Sequence, residues 1–180
     1  MKRIKVITPV ITEGLRDLAD LRALEHSGLK IEHTLLEEGP SSIESVFEEM
    51  LAAPGTVAAA LTAQAEGCDA VIVDCFGDPG LPAAREMLQI PVFGPGECSM
   101  HVAAMLGQRF SIFTVVPGVV AMLSELAHRY GVADKLASIR LIDIPVLALH
   151  GDMGAHSKSG WIAPARKPIG GFAALQAAMG

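Results

Sequence analysis

Aromatic residues make up only 4% of the 180-residue chain, and its 14 Lys and Arg residues are outnumbered by 20 Asp and Glu. The net charge is −6 and the sequence pI is about 5.5. A nucleic-acid surface needs clustered cations and usually stacking platforms, so this composition argues against one. Long hydrophobic runs are also missing. Mean hydropathy is +0.41, yet no apolar stretch reaches the roughly 18 residues of a spanning helix. The basic start, Met1-Lys2-Arg3, enters a strand-like run instead of a signal-peptide core. A soluble protein is expected, with no membrane partner. Cysteines are few and odd in number, at 68, 75 and 98, with no C-x-x-C pair. That excludes a disulfide framework and points to a reduced, cytoplasmic setting, where a special cysteine is catalytic before it is structural. The six histidines occur singly and no Walker A pattern is present, so neither a metal nor a nucleotide cofactor is expected.

What is present is an alternation of short β-branched runs with longer Ala/Leu/Glu-rich ones. Residues 4–10, 29–36, 70–74, 91–93, 110–115 and about 139–144 read as strands. Helical sequence lies near 13–23, 43–51, 56–66, 79–88, 99–106 and 119–128, with Pro54-Gly55 dividing the second and third of these. Ser41 and Glu44 have the spacing of a capping box. This order predicts an α/β fold with parallel sheets. Val6-Ile7-Thr8 and its helix resemble Ile112-Phe113-Thr114 and its helix, at an offset of 106 residues. Duplicated halves and a coincidence of two strand–helix units both explain that similarity. The expected organisation is a first α/β half over 1–95, the start of a second over 96–149, and an atypical tail over 150–180. The tail has no clear strand, and its only periodic piece is Phe172–Met179.

The strongest chemical candidate is Cys75, in Val73-Asp74-Cys75-Phe76-Gly77-Asp78-Pro79-Gly80. A buried strand delivers it to the carboxyl end of the sheet, where open α/β folds bind ligands. Asp78 is placed to cap the next helix, with Pro79 at its first position. Cys75 would then face a helix N-terminus, whose free N–H groups favour a thiolate able to act as nucleophile or base. A buried structural cysteine is the alternative. Cys68 precedes the same strand at the wrong end and reads as structural. Cys98 lies after Gly94-x-Gly96, a fragment of a dinucleotide loop without its third glycine, and the segment reads as a domain-crossing loop that helps enclose a ligand.

Cys75-Phe76-Gly77-Asp78-Pro79-Gly80-Leu81, with Arg85-Glu86 following, resembles the first cysteine motif of the hydantoin racemases, within the aspartate/glutamate racemase superfamily. Val6-Ile7-Thr8-Pro9, Gly39-Pro40-Ser41-Ser42-Ile43-Glu44, Gly94–His101 and Phe110–Thr114 are similar to other segments of that family. The similarity spans about residues 3–149, and departs from many members at Pro9-Val10-Ile11-Thr12, where they carry Asn-Thr.

The resemblance implies two pseudo-symmetric flavodoxin-like halves, the second incomplete here, around a site that needs no cofactor. It implies a racemase that inverts the α-carbon of hydantoins or related amino-acid derivatives, taking a small-molecule substrate and forming a homo-oligomer. Cys75 would be the acid/base residue, and Thr8, Pro9, Gly39, Pro40, Ser41, Phe76, Gly77, Asp78 and Thr114 would line the substrate. Inversion needs a second cysteine on the opposite face. The offset of 106 carries Cys75 to position 181, beyond the 180 residues. Either the tail is truncated or frame-shifted, or the chain is a one-cysteine relative. The alternatives are a one-cysteine decarboxylase or cis–trans isomerase of the same superfamily, and an inactive small-molecule-binding domain.

Overall fold

The structure, a computed structural model, describes residues 1–142, 146 and 161–164. Its elements in chain order are β1 (Lys2–Ile7), α1 (Ala19–Arg22), β2 (Leu29–Thr34), α2 (Val46–Ala65), β3 (Ala70–Val73), α3 (Leu81–Met87) and β4 (Val92–Phe93). There follow α4 (Pro95–Leu106), β5 (Phe110–Thr114), α5 (Val120–Arg129), β6 (Leu136–Leu141) and β7 (Trp161–Pro164). The first sheet has the order β2-β1-β3-β4 and every pair in it is parallel. The second has the order β6-β5-β7, with β6 parallel to β5 and β7 antiparallel to it. The expected α/β class with parallel sheets is what the chain forms.

Strand periodicity sorts the first sheet's side chains by face. Ile7, Val71, Val73 and Val92 pack with Ala52, Ala60 and Ala63 of α2 and Leu81 and Ala84 of α3. In the second half, Phe110 and Ile112 of β5 pack with Met100 and Ala103 of α4 and with Met122, Leu123 and Leu126 of α5. Among the described residues, no helix is long and apolar enough to cross a membrane.

Four local expectations are corrected. The helix expected over 13–23 is one turn, Ala19–Arg22, because Gly14 enters the left-handed region at φ +73° and Arg16 is drawn away to Asp74. The two helices expected around Pro54-Gly55 are one, α2. An interior proline costs about 3 kcal/mol, but the buried Ala52, Thr56, Ala60 and Ala63 stripe continues on both sides of it, and Thr56 Oγ1 donates to the Ala52 carbonyl at 2.9 Å. The capping pair is Ser45 and Glu48, not Ser41 and Glu44: the Glu48 N–H donates to Ser45 Oγ, and the Glu48 carboxylate accepts from the Glu44 N–H at 2.6 Å. Finally, the tail does contain a strand, β7, held by backbone pairing along β5. The periodic piece at Phe172–Met179 lies outside the described residues.

Candidate active site

Cys75 follows β3 by two residues, at the carboxyl end of the parallel sheet. Its N–H donates to the Val73 carbonyl at 2.8 Å, and its own carbonyl accepts from the Asp78 N–H at 2.9 Å, so the segment folds back as a tight turn. Val73 belongs to the first core and Phe76 to the second. Cys75 therefore lies on a short bridge between the two hydrophobic cores. Gly77 lies close under Met122 of α5: a Cβ there would stand 3.1 Å from the methionine methyl carbon, which would have to shift slightly to make room. A second close approach brings the Glu44 carbonyl against Gly118, and the Glu44 carboxylate accepts from the Val146 N–H at 2.9 Å.

The loops after β1 and β2 are tied together beside this turn. Leu36 N–H donates to Val10 O and Ile11 N–H to Pro40 O, both at 3.0 Å, and Thr12 Oγ1 donates to Ser41 O at 2.7 Å. Thr8 and Pro9 are buried at the base of the first loop. Thr8 Oγ1 lies 2.9 Å from His33 Nε2 and donates to Asp74 at 3.4 Å. Arg16 Nε donates to the same Asp74 oxygen at 2.7 Å, and its two terminal nitrogens reach Asp20. Burial holds His33 below the usual imidazole value, and Arg16 and Arg22 push the same way against Asp74. His33 is thus a neutral ring near pH 7.

The sequence-predicted residues do not all converge. Thr8 is joined to Asp74, the immediate neighbour of Cys75. Pro40 is buried, while Ser41 is exposed and meets the loop through its carbonyl. Gly39 lines a cavity of about 530 Å³ that includes Lys5, Leu35, Ala58 and Glu66, on the α2 side of the sheet and without Cys75. Phe76 turns its ring into the second core, so only its backbone is available to a ligand. Thr114 is buried at the end of β5, where its carbonyl accepts from Ile142 N–H at 2.9 Å.

Two expectations about Cys75 and Asp78 are overturned. Asp78 does not cap the helix that follows it. That helix starts at Leu81 behind Gly80, which is left-handed at φ +74° and makes no side-chain cap. The Asp78 carboxylate instead accepts from the Gly96 and Glu97 N–H groups of α4, at 3.0 and 2.7 Å, and from the Tyr130 hydroxyl at 2.7 Å. Nor is Cys75 a low-pKa thiol. Burial, with Asp78, Asp74 and Glu49 adding repulsion, pushes it up to about 12 against the Gly77 N–H, which alone favours the thiolate.

Cys68 is buried at the other end of the sheet and Cys98 is exposed on α4. Glu32, Glu66 and Cys68 bring three ligand atoms within 4.8 Å of one another at that far end. Both carboxylates there are engaged with Lys5, at 3.2 and 2.9 Å.

Arg16, His33, Asp74 and Tyr130 are polar groups that the sequence reading passed over. Asp74 had a signal, as a carboxylate closing a buried strand beside the candidate cysteine. So did Tyr130, the chain's one tyrosine, because a phenol near a core needs a partner.

Residues 8–171 match the family model described as Asp/Glu/hydantoin racemase. The chain belongs to that family. It is 38% identical over 154 residues to the hydantoin racemase of Pseudomonas sp. (strain NS671), covering 83% of this chain and 61% of that protein. The hydantoin racemase of Rhizobium meliloti is 35% identical over 151 residues, covering 83% and 63%. Among solved structures, the allantoin racemase from Klebsiella pneumoniae superposes with a TM-score of 0.80 at 38% identity, covering 86% of this chain and 64% of that one. This family member thus spans less than two-thirds of the length of these relatives.

Proposed function

We propose that the chain is a cofactor-independent racemase acting at the α-carbon of hydantoins or related ureido compounds such as allantoin, with Cys75 as an acid/base residue. The observation that carries this reading is the seat of Cys75, on a turn at the carboxyl end of a parallel sheet where two cores meet, in a chain 38% identical to a hydantoin racemase. In such a ring the carbonyl beside the α-carbon delocalises the carbanion as an enolate. The Cys75 thiolate takes the α-proton and becomes the thiol, and the electron pair moves onto the carbonyl oxygen. As that pair returns to carbon, a proton drawn from solvent water on the opposite face completes inversion, and the Cys75 thiol gives its proton back to solvent. Backbone N–H groups of the 76–77 turn and the Thr8 hydroxyl are the proposed partners of the substrate's carbonyls. Burial makes the thiolate scarce but strongly basic, which suits a weak carbon acid. The reaction should therefore accelerate as pH rises toward the raised thiol value.

Three free cysteines agree with a reducing, cytoplasmic setting. The exposed Phe47, Met50, Met105 and Leu106 agree with a homo-oligomer, which a sizing measurement would decide.

The test is polarimetry on single enantiomers of 5-substituted hydantoins and of allantoin, with Cys75→Ser as the control. Loss of the Cys75 thiol is expected to lower turnover by about 10²–10⁴-fold. A Cys75→Ser variant as fast as the parent would remove Cys75 from the chemistry.

A further inference from the structure

We propose that Asp78 is a positioning residue for Cys75, acting as a clasp between the two halves and not as a contact to substrate. The inference rests on the reading of Cys75 as the acid/base residue, and deepens it. Asp78 is 2% exposed, and each carboxylate oxygen is occupied: Oδ1 by the Gly96 N–H, Oδ2 by the Glu97 N–H and the Tyr130 hydroxyl. Three of the roughly four acceptor sites of the carboxylate are thus taken up within the protein, and the group is shielded from a ligand by its burial.

The arrangement explains three features of the sequence. The N-cap of α4 is Gly94, which has no side chain to offer, and Asp78 supplies the missing carboxylate from elsewhere in the chain. Side chains at Gly94 and Gly96 would overlap the Asp78 carboxyl group, and one at Gly96 would also overlap the Phe76 carbonyl. The Gly94-x-Gly96 pair is therefore space for the clasp, not a nucleotide loop. Asp78 itself stands at φ +51°, a left-handed conformation that Asp tolerates better than most residues. Because the Asp78 N–H is bonded to the Cys75 carbonyl, fixing Asp78 on α4 fixes the turn that holds the thiol.

A substrate contact, a merely structural role and a positioning role predict different results. Asp78→Asn keeps the shape but faces an N–H₂ group toward at least one N–H donor. Tyr130→Phe removes one of the three bonds and leaves the carboxylate. For each folded variant, kcat and KM for α-hydrogen exchange of an enantiopure hydantoin are measured. In parallel, the pH profile of iodoacetamide alkylation at Cys75 is followed by peptide mass spectrometry. A thiol displaced by about an ångström loses on the order of 100-fold in kcat.

Asp78→Asn is expected to show that loss with KM little changed, and an alkylation midpoint shifted to lower pH, since Asp78 joins Asp74 and Glu49 in repelling the thiolate. Tyr130→Phe is expected to lower kcat by a smaller factor and to alter the alkylation rate. If Asp78→Asn does not fold, Tyr130→Phe decides alone. A variant that raises KM at unchanged kcat would overturn the proposal in favour of substrate binding. One that loses thermal stability while kcat and the alkylation profile stay at parental values would overturn it in favour of a structural role. If the parent exchanges no substrate, the function reading fails, yet the alkylation profiles still test the clasp.

Discussion

In the first half, α2 lies against the sheet through alanines, with Ala52, Ala60 and Ala63 meeting Ile7, Val71 and Val73. In the second half, Phe110, Met100, Met122 and Leu126 fill a core of larger side chains, and Phe76 enters it from the first half. The small-residue core brings a long helix close to a four-stranded sheet and sets the height at which Cys75 emerges. The large-residue core receives the residue that follows it. Cys75 is thereby anchored from both sides, by Val73 in one core and Phe76 in the other.

The largest effect should come from cutting the second anchor. Phe76→Ala is expected to destabilise the protein by about 3–5 kcal/mol, measured by urea unfolding. Phe110→Ala, wholly inside the second core, should cost about the same. A loss below about 1 kcal/mol for Phe76→Ala would mean that the cores are independent and Cys75 is held from one side only.

A smaller effect separates two carboxylates by pH. Burial raises Asp78 to about 6 from an ordinary 3.8. The folded state then keeps its proton at a pH where the unfolded chain has released it. Its contribution is fully present below about pH 3.8 and is lost as pH rises through about 6, a change on the order of 3 kcal/mol. Glu32, on β2, works in the opposite sense. Arg3, Lys5 and Lys30 hold it down at about 2, so its contribution is present above its ordinary 4.5 and lost as pH falls through about 2. Urea midpoints between about pH 4.5 and 7, where the Glu32 contribution is already in place, should fall with rising pH in the parent and flatten in Asp78→Asn. A parent curve unaffected by that substitution would contradict the assignment.

The smallest effect is local. Ser45→Ala removes the cap of α2 and should cost about 0.5–2 kcal/mol, with no change in the Cys75 alkylation profile. A shift in that profile would show that the loop before α2 reaches the thiol.

The alternation of elements and the seat of Cys75 were legible because short β-branched runs and alanine-rich helices have periods that local sequence carries. The role of Asp78 was not. Asp78-Pro79 satisfies a local rule for capping the next helix, but the amides it binds lie at Gly96 and Glu97 and the phenol at Tyr130, brought together only by the fold. The same limit hid the raised value of the Cys75 thiol, since a dipole can be guessed from a turn but desolvation cannot. Pro54 misled for a related reason: the buried stripe that continues through it outweighs the local penalty.

Cys75 is the proposed acid/base residue at the substrate's α-carbon, while Cys68 is buried at the far end of the sheet and Cys98 is exposed on α4. The direct measurement is incubation of one enantiomer of a 5-substituted hydantoin in deuterated water, following deuterium at the α-carbon by mass spectrometry and configuration by chiral chromatography. Deuterium is expected to enter the α-carbon with the parent protein, and its entry to fall by about 10²–10⁴-fold in Cys75→Ser. Exchange at the parental rate in Cys75→Ser would contradict that role.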